Sequence, residues 1–278
     1  MNSKYKTIKY KQSKASNIED LVSIEEPLEM VVRYKKDSKW IDDSISITMR
    51  TPENDEDLIV GLLFCEGIVQ KASEVEKVEF LGEKVGKFDL QNKVRAILSN
   101  GENLDIKHLR RNFLTNSSCG VCGKTSMDSL EIICKTKINK DVPKISNSLI
   151  TKIPDLLRQS QSEFSKTGGI HASALFNKEG KPMAIKEDVG RHNALDKVIG
   201  HCFRNSLFDT KNQFIACSGR LSFELVQKTL MANIGLLMGV GAPTSLAIDL
   251  AKRFDMTLIG FVKSDSFNIY CGKNRILK

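Results

Sequence analysis

The chain has 278 residues, with 42 Lys+Arg against 34 Asp+Glu for a formal charge of +8. That length suggests one large domain or two modest ones, and 41% hydrophobic with 27% charged residues fits a soluble globular protein with a full core. Six prolines and 18 glycines exclude a collagenous or generally disordered chain. In chain order, Met1–Lys14 carries Lys4, Lys6, Lys9, Lys11 and Lys14 with no acid among them. It reads as a solvated, mobile tail. No aromatic-rich basic platform follows it, which argues against a nucleic-acid arm.

The next stretch reads as α+β. Leu28–Tyr34 and Ser44–Met49 are strand-like, the second with Ile45, Ile47 and Met49 alternating with polar residues. Thr51-Pro52 is expected to open a helix, Thr51 as N-cap and Pro52 in the first turn. Glu53, Asp55, Glu56 and Asp57 crowd its positive end, Leu58, Leu62 and Leu63 supply its apolar face, and Gly67 suits its C-cap. Val75–Leu81 and Lys93–Leu98 are two further expected strands.

From about residue 126 the rhythm changes. Helices are expected over Ser126–Cys134 and Ile153–Ser165, then strands His171–Phe176 and Met183–Lys186 and a helix Arg191–Arg204. Strand Phe214–Cys217, helix Phe223–Asn233, strand Leu236–Val240, helix Thr244–Phe254 and strand Met256–Val262 follow. Alternating strands and helices indicate a three-layer α/β domain with a largely parallel sheet. The reading is therefore α/β, in three parts: the basic tail at 1–14, a smaller N-terminal α+β domain at 15–115, and an α/β domain at 116–278. The boundary is expected between Lys107 and Ser126.

No secretory signal is evident, because the basic start lacks an apolar h-region. The longest uncharged run, Thr229–Ile248, contains Asn233, Gly235, Gly239, Gly241 and Pro243 and reads as helix end, strand and next helix, not as a membrane span. A cytoplasmic location is expected. Seven cysteines at irregular spacings do not resemble a disulfide framework.

The most informative segment is Asn116-Ser-Ser-Cys-Gly-Val-Cys-Gly-Lys124. Cys119 and Cys122 are three apart, each followed by glycine. The expected helix from Ser126 would aim its positive end at them and Lys124 adds a cation, so the thiolate is favoured. Three readings stay open: half of a structural zinc site, a disulfide redox centre, or a nucleophilic, sulfur-carrying cysteine on a mobile loop. A closed zinc site needs four ligands, and there is no second CxxC. A thioredoxin-like centre would follow a buried strand, whereas Thr115–Ser118 is polar.

Three further segments lie where a strand passes into a helix: Glu187–Asn193, Ser218-Gly-Arg220 and Gly241–Ser245. Such joints gather at the C-terminal edge of a parallel sheet, where ligands bind. Helix-start N–H groups with Arg191 or Arg220 beside them suit phosphate oxygens. His171 begins an apolar strand and fits a structural or a functional role equally; His108 and His201 read as ordinary. Cys65, Cys134, Cys202 and Cys217 fall on apolar faces as small hydrophobes. No Walker loop, no Gly-x-Ser-x-Gly elbow and no His-Glu-x-x-His helix is present.

In this order Ser117–Lys124, Thr167-Gly-Gly-Ile-His171, Glu187–Lys197, Ser218-Gly-Arg220 with Ser222–Lys228, and Gly241-Ala-Pro243 resemble the formate dehydrogenase accessory sulfurtransferase family (FdhD). Glu25–Leu28 and Met49–Pro52 match its N-terminal part, so the resemblance runs from about residue 20 to Tyr270. It implies a cytoplasmic sulfurtransferase with a deaminase-like α/β domain. Such a protein takes persulfide sulfur from a cysteine desulfurase and passes it to the bis(molybdopterin guanine dinucleotide) molybdenum cofactor, held as substrate, before insertion into formate dehydrogenase. The resemblance makes Cys119 the persulfide carrier, with Cys122 assisting the relay or acting as second acceptor.

It also places the cofactor on a loop here read as Phe261, Val262, Lys263, Ser264, Asp265 and Ser266, to which His192, Arg191 and Arg220 are added. Many relatives carry arginine and glycine where this loop has Lys263 to Ser266. No metal of its own, nucleic acid or membrane is expected, and a homodimer is left open. Two rivals remain. One is a cofactor-binding chaperone whose CxxC holds structural zinc or a redox pair without sulfur transfer. The other is a zinc deaminase, which requires His-x-Glu before its cysteine pair; His171-Ala-Ser173 lacks the glutamate and follows the pair.

Overall fold

The computed structural model describes residues 1–99, 101, 138–139 and 141–278. The CxxC segment with Cys119 and Cys122, Cys134, the expected helix Ser126–Cys134 and the expected boundary near 115 lie outside the described residues.

The first 14 residues are not a tail. β1 (Asn2–Lys11) and β2 (Lys14–Ser23) pair antiparallel along their whole length. Gln12 and Ser13, both at positive φ (47° and 65°), make the tight turn that matches strand twist. Two of the lysines that suggested a tail are answered across the ribbon, where Lys6 lies opposite Glu19 and Lys4 Nζ sits 3.4 Å from Glu19.

β3 (Glu26–Lys36), β4 (Lys39–Arg50), β5 (Val75–Phe80) and β6 (Lys93–Leu98) form a four-stranded sheet in the order β4-β3-β6-β5. α1 (Asp55–Cys65) covers it, Leu58, Ile59 and Leu63 packing on Leu28, Met30, Val94 and Leu98. A bulge at Ile45 shifts the pairing, because Met30 faces Ser46 while Val31 faces Ser44. The inward parity therefore switches: Ile45 is buried, whereas Ile47 and Met49 point outward. α1 starts three residues later than expected, with Asn54 and not Thr51 at its N-cap position. The Thr51 hydroxyl accepts the Val189 N–H instead of capping a helix, and Glu53 and Asn54 both have positive φ (88° and 58°), so the helix begins only after them.

The second part begins with β7 (Ile145–Ser146) and α2 (Asn147–Ile150), then α3 (Ile153–Gln159) and α4 (Ser162–Thr167). The expected single helix Ile153–Ser165 is thus two. The Glu187 carboxylate accepts the Glu163 and Phe164 backbone N–H groups at 2.9 Å, donors that a continuous helix would spend on its preceding turn. β8 (His171–Asn177), β9 (Pro182–Asp188), α5 (Arg191–Arg204), β10 (Gln213–Cys217), α6 (Phe223–Met231), β11 (Leu236–Gly239), α7 (Ser245–Arg253), β12 (Thr257–Gly260), β13 (Asn268–Cys271) and β14 (Ile276–Leu277) complete the chain. β14 pairs with β7.

The six-stranded sheet runs β13-β12-β11-β10-β8-β9. It is mixed, not largely parallel. β10–β11 and β11–β12 are parallel, and β8–β9, β8–β10 and β12–β13 antiparallel. The links from β8 to β9 and from β12 to β13 are too short for a crossover helix, so those pairs must reverse direction. One face packs Leu175, Ile215, Leu237 and Leu258 on α5, α6 and α7; the other packs Phe176, Phe214 and Met238 on α2 and α3. Helices cover both faces of a mixed α/β sheet. Among the described residues, no helix is long and apolar enough to cross a membrane.

The two sheets are bound together by α1 against α5. A Cβ on Gly61 would overlap the Asp196 carbonyl oxygen, and one on Gly200 would overlap that of Asp57. The backbones approach as closely as only paired glycines allow.

Candidate functional site

β8 runs opposite to both β9 and β10, so β9, β10, β11 and β12 all end at one edge of the sheet, and β8 starts there. The edge collects His171, the Asp188–His192 joint, the Ser218–Arg220 joint, Gly241–Thr244 and the loop after β12. Backbone bonds tie these loops in sequence. Ser218 N–H donates to Ala172 O at 2.9 Å, Gly241 N–H to Gly219 O at 3.2 Å, and Phe261 N–H to Gly241 O at 3.1 Å. The expected convergence of three joints is present.

The Glu187–Lys197 motif divides into two sets. Most of it holds the molecule together. Asp188 and Lys197 are fully buried and 2.6 Å apart. The Asp188 carboxylate also accepts the Thr51 N–H at 3.2 Å and the Gly190 N–H at 2.8 Å, while Lys197 Nζ donates to Thr51 O at 2.7 Å. Val189 N–H donates to Thr51 Oγ1, and the Asn193 amide to Met49 O. The Met49–Pro52 and Glu187–Lys197 motifs are therefore two halves of one buried latch. Next to Thr51, Arg50 is fixed within the N-terminal part by two 3.0 Å bonds to Asp55 of α1.

Arg191 and His192, by contrast, stay partly exposed at the edge. His192 Nε2 lies 2.7 Å from Glu224 and 3.0 Å from Ser222 Oγ, both at the start of α6. The hydrogen bond to His192 holds the Glu224 carboxyl below its ordinary value. Arg191 Nε is buried without a hydrogen-bond partner among the described residues. Arg220 is exposed.

His171, which the sequence left undecided, sits at the centre. A Cβ at Gly219 would lie 3.2 Å from His171 Nδ1 and 3.8 Å from Arg191 Cδ, so the bare glycine lets imidazole and arginine close over the loop. Burial, then the charges of Arg191, His192 and Arg220, push the His171 imidazole below its usual value, with Asp188 pulling the other way.

Beside His171 opens a groove of about 730 Å³, walled by Leu157, Arg158, Phe164, Ile170, Ser218 and Val240. Arg158 stacks on Phe164 with its guanidinium 4.4 Å from the ring centroid. Gln161, 4% exposed, lines the same groove with its amide nitrogen unpartnered among the described residues. Sequence reasoning missed this wall. The break between α3 and α4 that forms it depends on Glu187, distant in the chain.

The loop Phe261–Ser266 lies at the same edge, but its residues differ in what they offer. Val262 is buried in the core, whereas Phe261, Lys263, Ser264, Asp265 and Ser266 are exposed. Lys263 N–H donates to Ser266 O at 2.8 Å, and Ser266 Oγ to Asp265 at 2.9 Å. Cys65, Cys202 and Cys217 are buried, and burial raises all three thiols, Cys202 to about 12 and Cys217 to about 11. They are structural. Among the described residues, no group of three or more His, Cys, Asp or Glu side chains could hold a metal ion.

The model of the FdhD/NarQ family matches residues 24–277. A protein of Streptomyces avermitilis named sulfur carrier protein FdhD is 39% identical over 273 residues, 98% of this chain and 94% of the relative. One of Sulfolobus acidocaldarius with the same name is 37% identical over 98% of each chain. A crystal structure from Desulfotalea psychrophila, assigned as a formate dehydrogenase accessory protein, superposes with a TM-score of 0.73 at 22% identity, covering 99% of both chains. That likeness shows a shared fold.

Proposed function

The chain belongs to the FdhD/NarQ family, and from that we propose that it is a sulfur carrier for the maturation of formate dehydrogenase. Its relatives' name, sulfur carrier protein, supports the role. In this reading Cys119 is the carrier. Its thiolate attacks the terminal sulfur of a cysteine desulfurase persulfide; the new S–S bond forms as the donor's breaks, and the donor cysteine leaves as a thiolate. The sulfur then passes to the bis(molybdopterin guanine dinucleotide) molybdenum cofactor, with Cys122 as relay or second acceptor. The division at residues 115/116 and a cytoplasmic location belong to the same reading.

The observation that carries the ligand side is the meeting of Arg191, Arg220 and His171 at one sheet edge beside a groove. Charge-assisted donors at the strand ends suit the phosphates of a guanine dinucleotide. Lys263, Ser264, Asp265 and Ser266 extend the same edge; Val262 contributes through its backbone, because its side chain is in the core. His192 acts through its pair with Glu224. We read the strand order, with its single run of parallel strands flanked by antiparallel ones, as the deaminase-like arrangement.

The test is direct. Mass spectrometry after incubation with desulfurase and cysteine is expected to find one added sulfur atom on the peptide carrying Cys119. Equal loading of Cys119→Ala would end the assignment.

A further inference from the structure

The edge contains two polar groups that the fold leaves unanswered, and both flank Gly219. Arg191 Nε is buried with no hydrogen-bond partner among the described residues. The His171 ring nitrogens likewise have none there, although Ser218 beside it bonds both its backbone N–H and its hydroxyl to β8. A half-buried imidazole without a partner, lining a groove and surrounded by Arg191 and His192 of α5 and Arg220 of the joint after β10, lacks an anion. Among the described residues whose charge acts on it, Asp188 of β9 is the acidic one, and that carboxylate is committed to Lys197, Thr51 and Gly190. Arg191 Nε, buried and unpartnered, carries a desolvation cost that a bound anion would remove, and the His171 ring beside it is open to the same ligand.

We propose that His171 is the proton-linked element of the phosphate site, binding a phosphate or diphosphate oxygen together with Arg191 and Arg220 and taking up a proton as the anion arrives. This rests on the ligand class argued above and adds the residue and the protonation event.

The sign follows from the surroundings. In the free protein, burial and the neighbouring guanidiniums of Arg191 and Arg220 disfavour imidazolium. A diphosphate against the ring reverses that field, so the imidazole titrates higher in the complex. Between the free and bound values binding takes up a proton and affinity rises as pH falls, by at most about tenfold per pH unit for one site. Below the free value the imidazole is already charged and the dependence flattens.

Calorimetry on the full chain in buffers of contrasting ionisation enthalpy tests this with three probes. Guanosine diphosphate and inorganic pyrophosphate titrate near neutral pH themselves, so the expected signature is greater proton uptake by wild type than by His171→Gln with either anion; guanosine, lacking phosphate, is expected to show no such difference. His171→Gln should still bind both anions through Arg191 and Arg220 but lose that added uptake and the added affinity gain between pH 8 and pH 6. Equal uptake in H171Q, or the same difference with guanosine, would overturn the inference while leaving the ligand class intact. Failure of guanosine diphosphate and pyrophosphate to bind the wild-type chain would remove both. Should H171Q fold poorly, the His171 ring resonance followed in wild-type protein gives the same answer: its titration midpoint must move up when pyrophosphate is added.

Discussion

Lys197 and Asp188 meet at 2.6 Å with both side chains out of water, and each also bonds Thr51, the residue that follows β4 of the other sheet. The pair is a fastening between two parts of the chain as much as an ion pair. Removing one partner strands a buried charge, which costs about 3–5 kcal/mol. Lys197→Met is expected to lower the urea midpoint sharply, and Lys197→Met with Asp188→Asn together to recover much of the loss. If K197M unfolds at the wild-type midpoint, the latch contributes nothing.

The glycine contact between α1 and α5 allows a second test. Gly200→Ala places a methyl group on the Asp57 carbonyl oxygen. The helices must separate, at a cost of about 3 kcal/mol, the upper end for overpacking. Gly82→Ala is a control for space alone, since nothing lies within 4 Å of its Cβ position, though its φ of +78° carries a modest backbone strain. Thermal unfolding should rank G200A well below G82A.

Acid stability should depend on Asp57. Burial alone would push this carboxyl up, but Lys186 at 2.9 Å and Arg204 at 2.8 Å hold it below the ordinary carboxylate value. A depressed folded value means stability present above the unfolded value, about 3.9, and lost as pH falls through the folded one. Asp57→Asn is expected to cost about 2–3 kcal/mol at pH 7. The gap from wild type should narrow steadily below about pH 4 in denaturant titrations; a constant gap would rule out the pairing.

The anion site predicts an order of effects on pyrophosphate binding. Arg191→Met and Arg220→Met each remove a charge-assisted bond of about 1.5–3 kcal/mol, so affinity should fall roughly ten- to a hundredfold. Lys263→Met removes an exposed charge and should cost less than about 1 kcal/mol. Titrations at fixed salt that reverse this order would move the site onto the Phe261–Ser266 loop.

Much of the architecture was legible in the chain because periodicity and caps report local physics. α5 begins and ends where Arg191 and Arg204 were expected, and Thr244 caps α7 through the Ala247 N–H. Several misreadings share one cause, distant partners. Thr51 looked like a cap but is spent on Val189, Asp188 and Lys197. Ile153–Ser165 looked continuous because the carboxylate that interrupts it is Glu187. The basic start looked unstructured because lysine density concealed a strand whose counter-charge lies on the return strand. At the site, three joints and two arginines could be read from spacing. His171 could not, because its role depends on Gly219 and Arg191 arriving from other strands.

The latch through Thr51 has a corollary for how ligand affinity is inherited. Arg191 begins three residues after Asp188, so the orientation of the anion donors is set by a clamp whose other jaw belongs to the N-terminal sheet. A fragment starting after β6 would keep every donor named here and yet lose their alignment, with Asp188 and Lys197 left uncovered. The alignment of the proposed anion site is thus a property of the joined halves, and a substitution at Thr51, outside the site itself, is expected to weaken pyrophosphate binding.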